Sequence, residues 1–171
     1  MAVTTDIART YRGPRTVIRD LLAQGVREDR AIAYLFAACL LIFIAQWPRL
    51  TRAAQGFDLP AGAEQPSLTQ LLTYELFSWL MIWPLVLYII AGLTHLAAYA
   101  MGGQGTAYGA RLALFWALLA SVPLALFYGL LTGLNGPTAA TQIVGALWLG
   151  TFVWFWMQGQ REASRPHDGN L

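Results

Sequence analysis

Few residues in this chain have the types and spacing that chemistry requires. Glu75 is the one carboxylate well inside an apolar run, and an ionisable side chain at membrane depth is costly enough to be a functional candidate by default. A proton or cation path would need further polar partners at depth, and the surrounding residues (LLTYELFSWLMIW) offer no obvious set and no second ionisable side chain beyond Tyr74. Glu75 stands ~10 Å from the nearer end of its helix, within reach of Gln46 or Arg49, so it reads as a structural pair near the interface. His95 and Arg111 flank a glycine-rich turn. They form either a pocket for an anion or lipid headgroup or, more plainly, two anchors that snorkel to the interface. His167 falls in a polar tail and reads as solvent-exposed.

The catalytic signatures are missing. No His-Glu-x-x-His helix and no Gly-x-Ser-x-Gly elbow occurs. The turn Gly102-Gly103-Gln104-Gly105-Thr106 lacks the Gly-Lys-Ser/Thr ending of a phosphate loop and follows no strand pattern. Two distant histidines and the lone Cys39 do not make a conventional metal site. The sequence therefore predicts no catalytic, cofactor-binding or metal-ligating residues.

The elements that would position these side chains are membrane helices. Of the 171 residues 57% are hydrophobic and only 12% charged, with a mean hydropathy of +0.48; a soluble domain of ordinary usage carries about twice that charge. Asp29–Trp47 gives a first span. It is closed by Pro48, Arg49 and Arg52, and Thr51–Pro66 reads as an exposed loop. Leu68–Met101 is too short for two spans and a turn, so it is one long helix with a kink at Pro84. Tyr108–Leu134, with Pro123 in its middle, is a third span, and Ala139–Met157 is a fourth after the Asn135-Gly136-Pro137 breaker. The chain thus divides into an N-terminal segment (1–28), a four-span membrane domain (29–157) and a polar tail (158–171). The fold class is an all-α polytopic membrane bundle. Pro14–Gln24 adds an amphipathic helix, with Val17, Ile18, Leu21 and Leu22 opposite Arg15, Arg19 and Asp20, expected to lie in the headgroup plane in preference to docking on the cytoplasmic side of the bundle. The opening residues are polar and do not read as a cleavable signal.

Arginine sets the orientation. All eleven basic residues are Arg, which hints at a GC-rich bacterial gene. Arg9, Arg12, Arg15, Arg19, Arg27, Arg30, Arg111, Arg161 and Arg165 share one side of a four-span chain, leaving Arg49 and Arg52 on the other. That asymmetry predicts a cytoplasmic N-terminus and C-terminus in an inner membrane. The small net charge of +2 argues against nucleic acid as a partner.

Small residues recur at every fourth position of the third span: Gly109, Ala113, Ala117, Ser121, Ala125, Gly129 and Gly133. Such spacing lets helix backbones approach closely. The stripe drifts about 40° per step, because four residues exceed one 3.6-residue turn. It suits a right-handed crossing or two successive neighbours, inside the monomer in preference to self-association, with Ala146 and Gly150 as a facing pair on the fourth span.

His95–Leu131 resembles the Yip family of integral membrane proteins, named for interaction with Ypt/Rab GTPases. The likeness rests on Gly102, Gly103, Gly105 and Thr106 between two spans, then a small-residue-rich span with Pro123. Gly13-Pro14-Arg15 through Leu22 is similar to bacterial members. The resemblance implies a non-enzymatic membrane protein acting as scaffold or interaction partner. It does not carry a trafficking role to a bacterium, and four spans here depart from the usual five. Arg19, Gly102, Gly103, Gly105, Thr106 and Arg111 become candidates for lipid or partner contact, with membrane lipids and other membrane proteins, or a second copy, as partners. Rival readings are an accessory subunit of a respiratory or photosynthetic complex and a small transporter or channel built on Glu75 and the proline-bearing spans.

Overall fold

The computed structural model describes residues 3–57 and 64–165. These form α1 (Val3–Arg12), α2 (Pro14–Ala23), α3 (Glu28–Ala54), α4 (Leu68–Phe77), a π-helical turn (Ser78–Ile82), α5 (Trp83–Ala100), α6 (Ala107–Asn135) and α7 (Ala139–Ala163). The described residues contain no strand. Four continuous helices are long and apolar enough to cross a membrane: 28–54, 68–100, 107–135 and 139–163. At ~1.5 Å per residue the shortest, of 25 residues, still exceeds a hydrocarbon core of ~30 Å. The protein is a membrane-embedded helical bundle.

Local chemistry sets the boundaries. Thr106 caps α6 by accepting from the Gly109 N–H (3.0 Å). Thr138 and Thr141 form a reciprocal capping box on α7. At the end of α5, Gly102 adopts φ +85°, the Gly103 N–H reaches Ala98 O (2.8 Å) and the Gly102 N–H reaches Tyr99 O (3.0 Å). That is a Schellman closure, which favours glycine at its left-handed position.

Helix α6 is the axis. In its apolar window 61% of residues are buried, against 11% for α7. Helices α3 and α7 pack along it, and α4–α5 leans on both α3 and α6. The irregularity beside Pro84 takes the form of the π-helical turn that precedes it, an arrangement that re-routes hydrogen bonds where proline lacks its N–H.

Three expectations need correction. The helix that carries the first span does not end at Trp47, since α3 carries Pro48 inside it and continues to Ala54. The presumed loop from Thr51 therefore opens as helix, and residues 58–63 of it lie outside the described set. The fourth span does not stop at Met157 but runs to Ala163; residues 166–171 of the tail, His167 included, lie outside the described set. The N-terminal segment holds two helices, not one. Its first helix, α1, buries Thr10 completely and Asp6 largely.

Helices α1 and α2 fold back on each other around Gly13, bridged by Arg9 to Asp6 (3.0 Å) and Asp20 (2.7 Å). The α2 apolar face (Val17, Ile18, Leu21) is 1–3% exposed, packed against α6 and α7. A headgroup-plane placement would leave that face to lipid. The segment is instead a hairpin docked on one end of the bundle.

Candidate functional site

The residues singled out for lipid or partner contact are engaged within the chain. Arg19 Nε donates to Glu162 Oε1 at 2.7 Å, and the Glu162 side chain is only 6% exposed. That hydrogen bond holds the Arg19 guanidinium above its ordinary pKa, because loss of the proton would leave the carboxylate without its partner. Arg15 donates twice to Gln158 Oε1 (2.9 and 2.7 Å), so α2 runs beside the last turns of α7. Arg111 pairs with Glu28 at the start of α3. Both arginines are thus paired within the chain, and the Arg19 side chain remains 58% exposed. Partial desolvation of Tyr11, which stands edge-on to the Phe155 ring (5.1 Å), raises its pKa.

The glycine-rich turn has structural work of its own. Only Gly102 among its glycines has positive φ. A Cβ on Gly103 would lie 2.8 Å from Ala98 O, and one on Gly105 would overlap the Ala163 carbonyl of α7. The turn is therefore pressed against the end of α7. His95 lines a narrow crevice there with Tyr99, Thr106 and Gln160. Arg111 is not part of that lining, so the two do not form the shared pocket weighed above.

The small-residue stripe serves two neighbours in turn. At one end Gly109 faces Ala163, and Ala113 meets Gly159, where a Cβ would come within 3.1 Å. Ala117, Ser121 and Ala125 are buried in the middle, and Ser121 Oγ accepts from Trp148 Nε1 on α7 (3.2 Å). At the other end Gly129 and Gly133 face α3, where a Cβ on either would overlap Ala45 or Pro48. The 40° drift of a four-residue step carries the stripe from α7 to α3.

Ala146 and Gly150 do not face α6, which corrects that pairing. Both are exposed, and a Cβ on Gly150 would meet nothing within 4 Å. Gly145 instead sits against the Tyr128 ring. Ala146 and Gly150 belong to an outward stripe with Ile143, Leu147, Trp154 and Met157, the last four 44–69% exposed. Positions 143, 147, 150, 154 and 157 alternate steps of four and three, the spacing of a helix–helix seam. That spacing was in the sequence, unread.

Glu75 accepts from Arg49 Nη2 (3.4 Å) and Trp79 Nε1 (3.2 Å), and Arg49 Nε donates to Gln46 (3.1 Å). The cluster stands at the mouth of a cleft of about 500 Å³ between α5 and α7, floored by α6. Three ring pairs stiffen the region: Trp79–Trp83, Tyr128–Trp148 and Phe152–Trp156 (5.2, 6.2 and 6.0 Å). The tryptophan wall went unnoticed in the sequence because it is assembled from two helices. Among the described residues, no group of three or more His, Cys, Asp or Glu side chains could hold a metal ion. No family model, curated protein or solved structure matches this chain.

Proposed function

We propose that the protein is a non-enzymatic interaction partner in the bacterial inner membrane, a small scaffold that recruits another membrane helix through α7. The outward stripe of α7 is the observation that carries this reading. Helices in lipid gain nothing from apolarity alone and associate where small residues let backbones approach. Gly150 supplies that step within the exposed 4-3-4-3 seam, with Ala146 beside it, and none of the described residues covers them. The ionisable residues nearest the membrane interior, Arg49 and Glu75, are paired with each other, which supports a structural role over transport. The reading agrees with what the Yip resemblance implies.

The orientation proposed is cytoplasmic for both chain ends. The α1–α2 hairpin, the 102–106 turn and the end of α7 meet at one end of the bundle, with nine arginines, and Arg49 and Arg52 mark the other. Lys/Arg-rich ends stay inside.

The test is purification in mild detergent followed by mass spectrometry and stoichiometry measurement. Gly150→Leu and Ala146→Leu should release the partner or second copy without lowering the melting temperature, because both positions are exposed and a Cβ at Gly150 meets none of the described residues within 4 Å. Retention of the same partner by both variants would remove α7 from the account. The partner's identity separates a scaffold from an accessory subunit of a respiratory or photosynthetic complex.

A further inference from the structure

We propose that the cleft between α5 and α7 holds one phospholipid drawn from the bilayer, its acyl chain along the tryptophan wall and its phosphate at Arg49. The volume of about 500 Å³ falls among small-molecule sites, ~300–1,000 Å³. From Trp79 in the π-helical turn to Ile90 in α5 the wall rises by 11 residue steps, ~16 Å of helix, a length suited to a chain lying along the membrane normal.

The lining decides between a chain and a helix. Around Leu114, Leu118, Trp83, Leu87, Trp148 and Phe152 the cleft has no Gly, Ala, Ser or Thr. A partner helix needs small residues to bring its backbone close, and those are on the opposite, outward face of α7. Bulky side chains that leave a narrow trough accept a thin, flexible chain instead. The walls are also fixed in place: Trp79 Nε1 is held by Glu75 (3.2 Å) and Trp148 Nε1 by Ser121 (3.2 Å).

Charge selects the headgroup. The polar residues lining the cleft are Gln46, Arg49 and Tyr128; Glu75, which pairs with Arg49, is not among them. Arg49 commits Nε to Gln46 and Nη2 to Glu75 at a long 3.4 Å, which leaves donors for a phosphate. A second apolar recess, sharing Trp156, continues toward Gln160 and Arg161 at the hairpin end. That recess, about 540 Å³, is more open than the cleft and is bordered by Ala97 and Ala98, so the headgroup is assigned to the Arg49 end.

The full-length protein, exchanged in detergent into dioleoyl phosphatidylglycerol or dioleoyl phosphatidylcholine, tests this by native mass spectrometry. One phosphatidylglycerol per chain should survive delipidation. Its preference over phosphatidylcholine should be about fivefold, the ratio one arginine near a membrane surface supplies, and should vanish in Arg49→Gln but not in Arg161→Gln. Leu118→Trp fills the floor and should expel the lipid. Leu149→Trp does the same from an exposed position that folding does not depend on, and it decides the matter if Leu118→Trp fails to fold. No retained lipid, retention unchanged in folded Leu149→Trp, a preference lost only in Arg161→Gln, or a partner helix cross-linked into the cleft would each overturn the assignment.

Discussion

Trp116 Nε1 on α6 donates to the Thr10 hydroxyl on α1 across 3.1 Å, and both residues are sealed from solvent. Thr10 passes its own proton to Asp6 O (2.7 Å), so the indole is anchored by a side chain that is itself fixed. Thr10→Val keeps the shape and removes the acceptor, leaving a buried donor without a partner. The cost should be about 1–3 kcal/mol, read as a lower melting temperature in detergent, whereas Thr10→Ser should remain close to wild type. Equal melting of Thr10→Val and the wild type would show that the hairpin is not anchored there.

Glycine positions should divide sharply by neighbour. A Cβ at Gly129 would overlap the Ala45 carbonyl, so Gly129→Ala must push α3 from α6. The cost of such overpacking is about 1–3 kcal/mol or more. Gly150→Ala meets open space and should leave stability of the isolated chain unchanged or slightly higher. Leu126, 38% exposed on α6, should tolerate Ala better than Gly129 does. Thermal unfolding of the three variants in one detergent ranks them.

The Arg19–Glu162 pair links the hairpin to α7, and its energetics should depend on salt because Arg19 is more than half exposed. In a double-mutant cycle of Arg19→Ala and Glu162→Ala, the coupling measured by hairpin protease resistance should be favourable at low ionic strength and shrink as salt rises. A coupling independent of salt would mean the contact is made by packing rather than by charge.

What could be read from residues and what could not follows one physical line. Hydropathy located the middle of every span because each apolar run is long relative to a bilayer, and breakers such as Asn135-Gly136-Pro137 marked real turns. Ends were less legible. Pro48, Arg49 and Arg52 look like a stop, yet α3 continues through them, with Gly133 of α6 pressed against Pro48. Gln158–Ala163 look like tail but stay helical because α2 covers them through Arg15 and Arg19. Helix α1 was missed because its polar composition hides Ile7 and Thr10, one turn apart on the inward face. The small-residue stripe was visible as a spacing, while its division between α7 and α3 needed three dimensions. The exposed seam on α7 and the tryptophan cleft depend on which faces remain uncovered, and a sequence does not state that.

Topology gives a separate prediction. Gln55, just beyond α3, should lie outside the cell. With Cys39 replaced, Gln55→Cys should react with a membrane-impermeant thiol reagent in intact cells. Reaction only after lysis would invert the proposed orientation and put the hairpin outside.

The most direct test of the interaction reading is cross-linking at one position in native membranes. With Cys39 replaced by Ser, a photoactivatable thiol-linked probe at Gly150→Cys should yield one discrete protein adduct on α7. The same probe at Ile89→Cys, which is exposed on α5 away from the seam, should yield lipid adducts only. No protein adduct at position 150, or equal adducts at 150 and 89, would contradict the claim that α7 presents the partner-binding face.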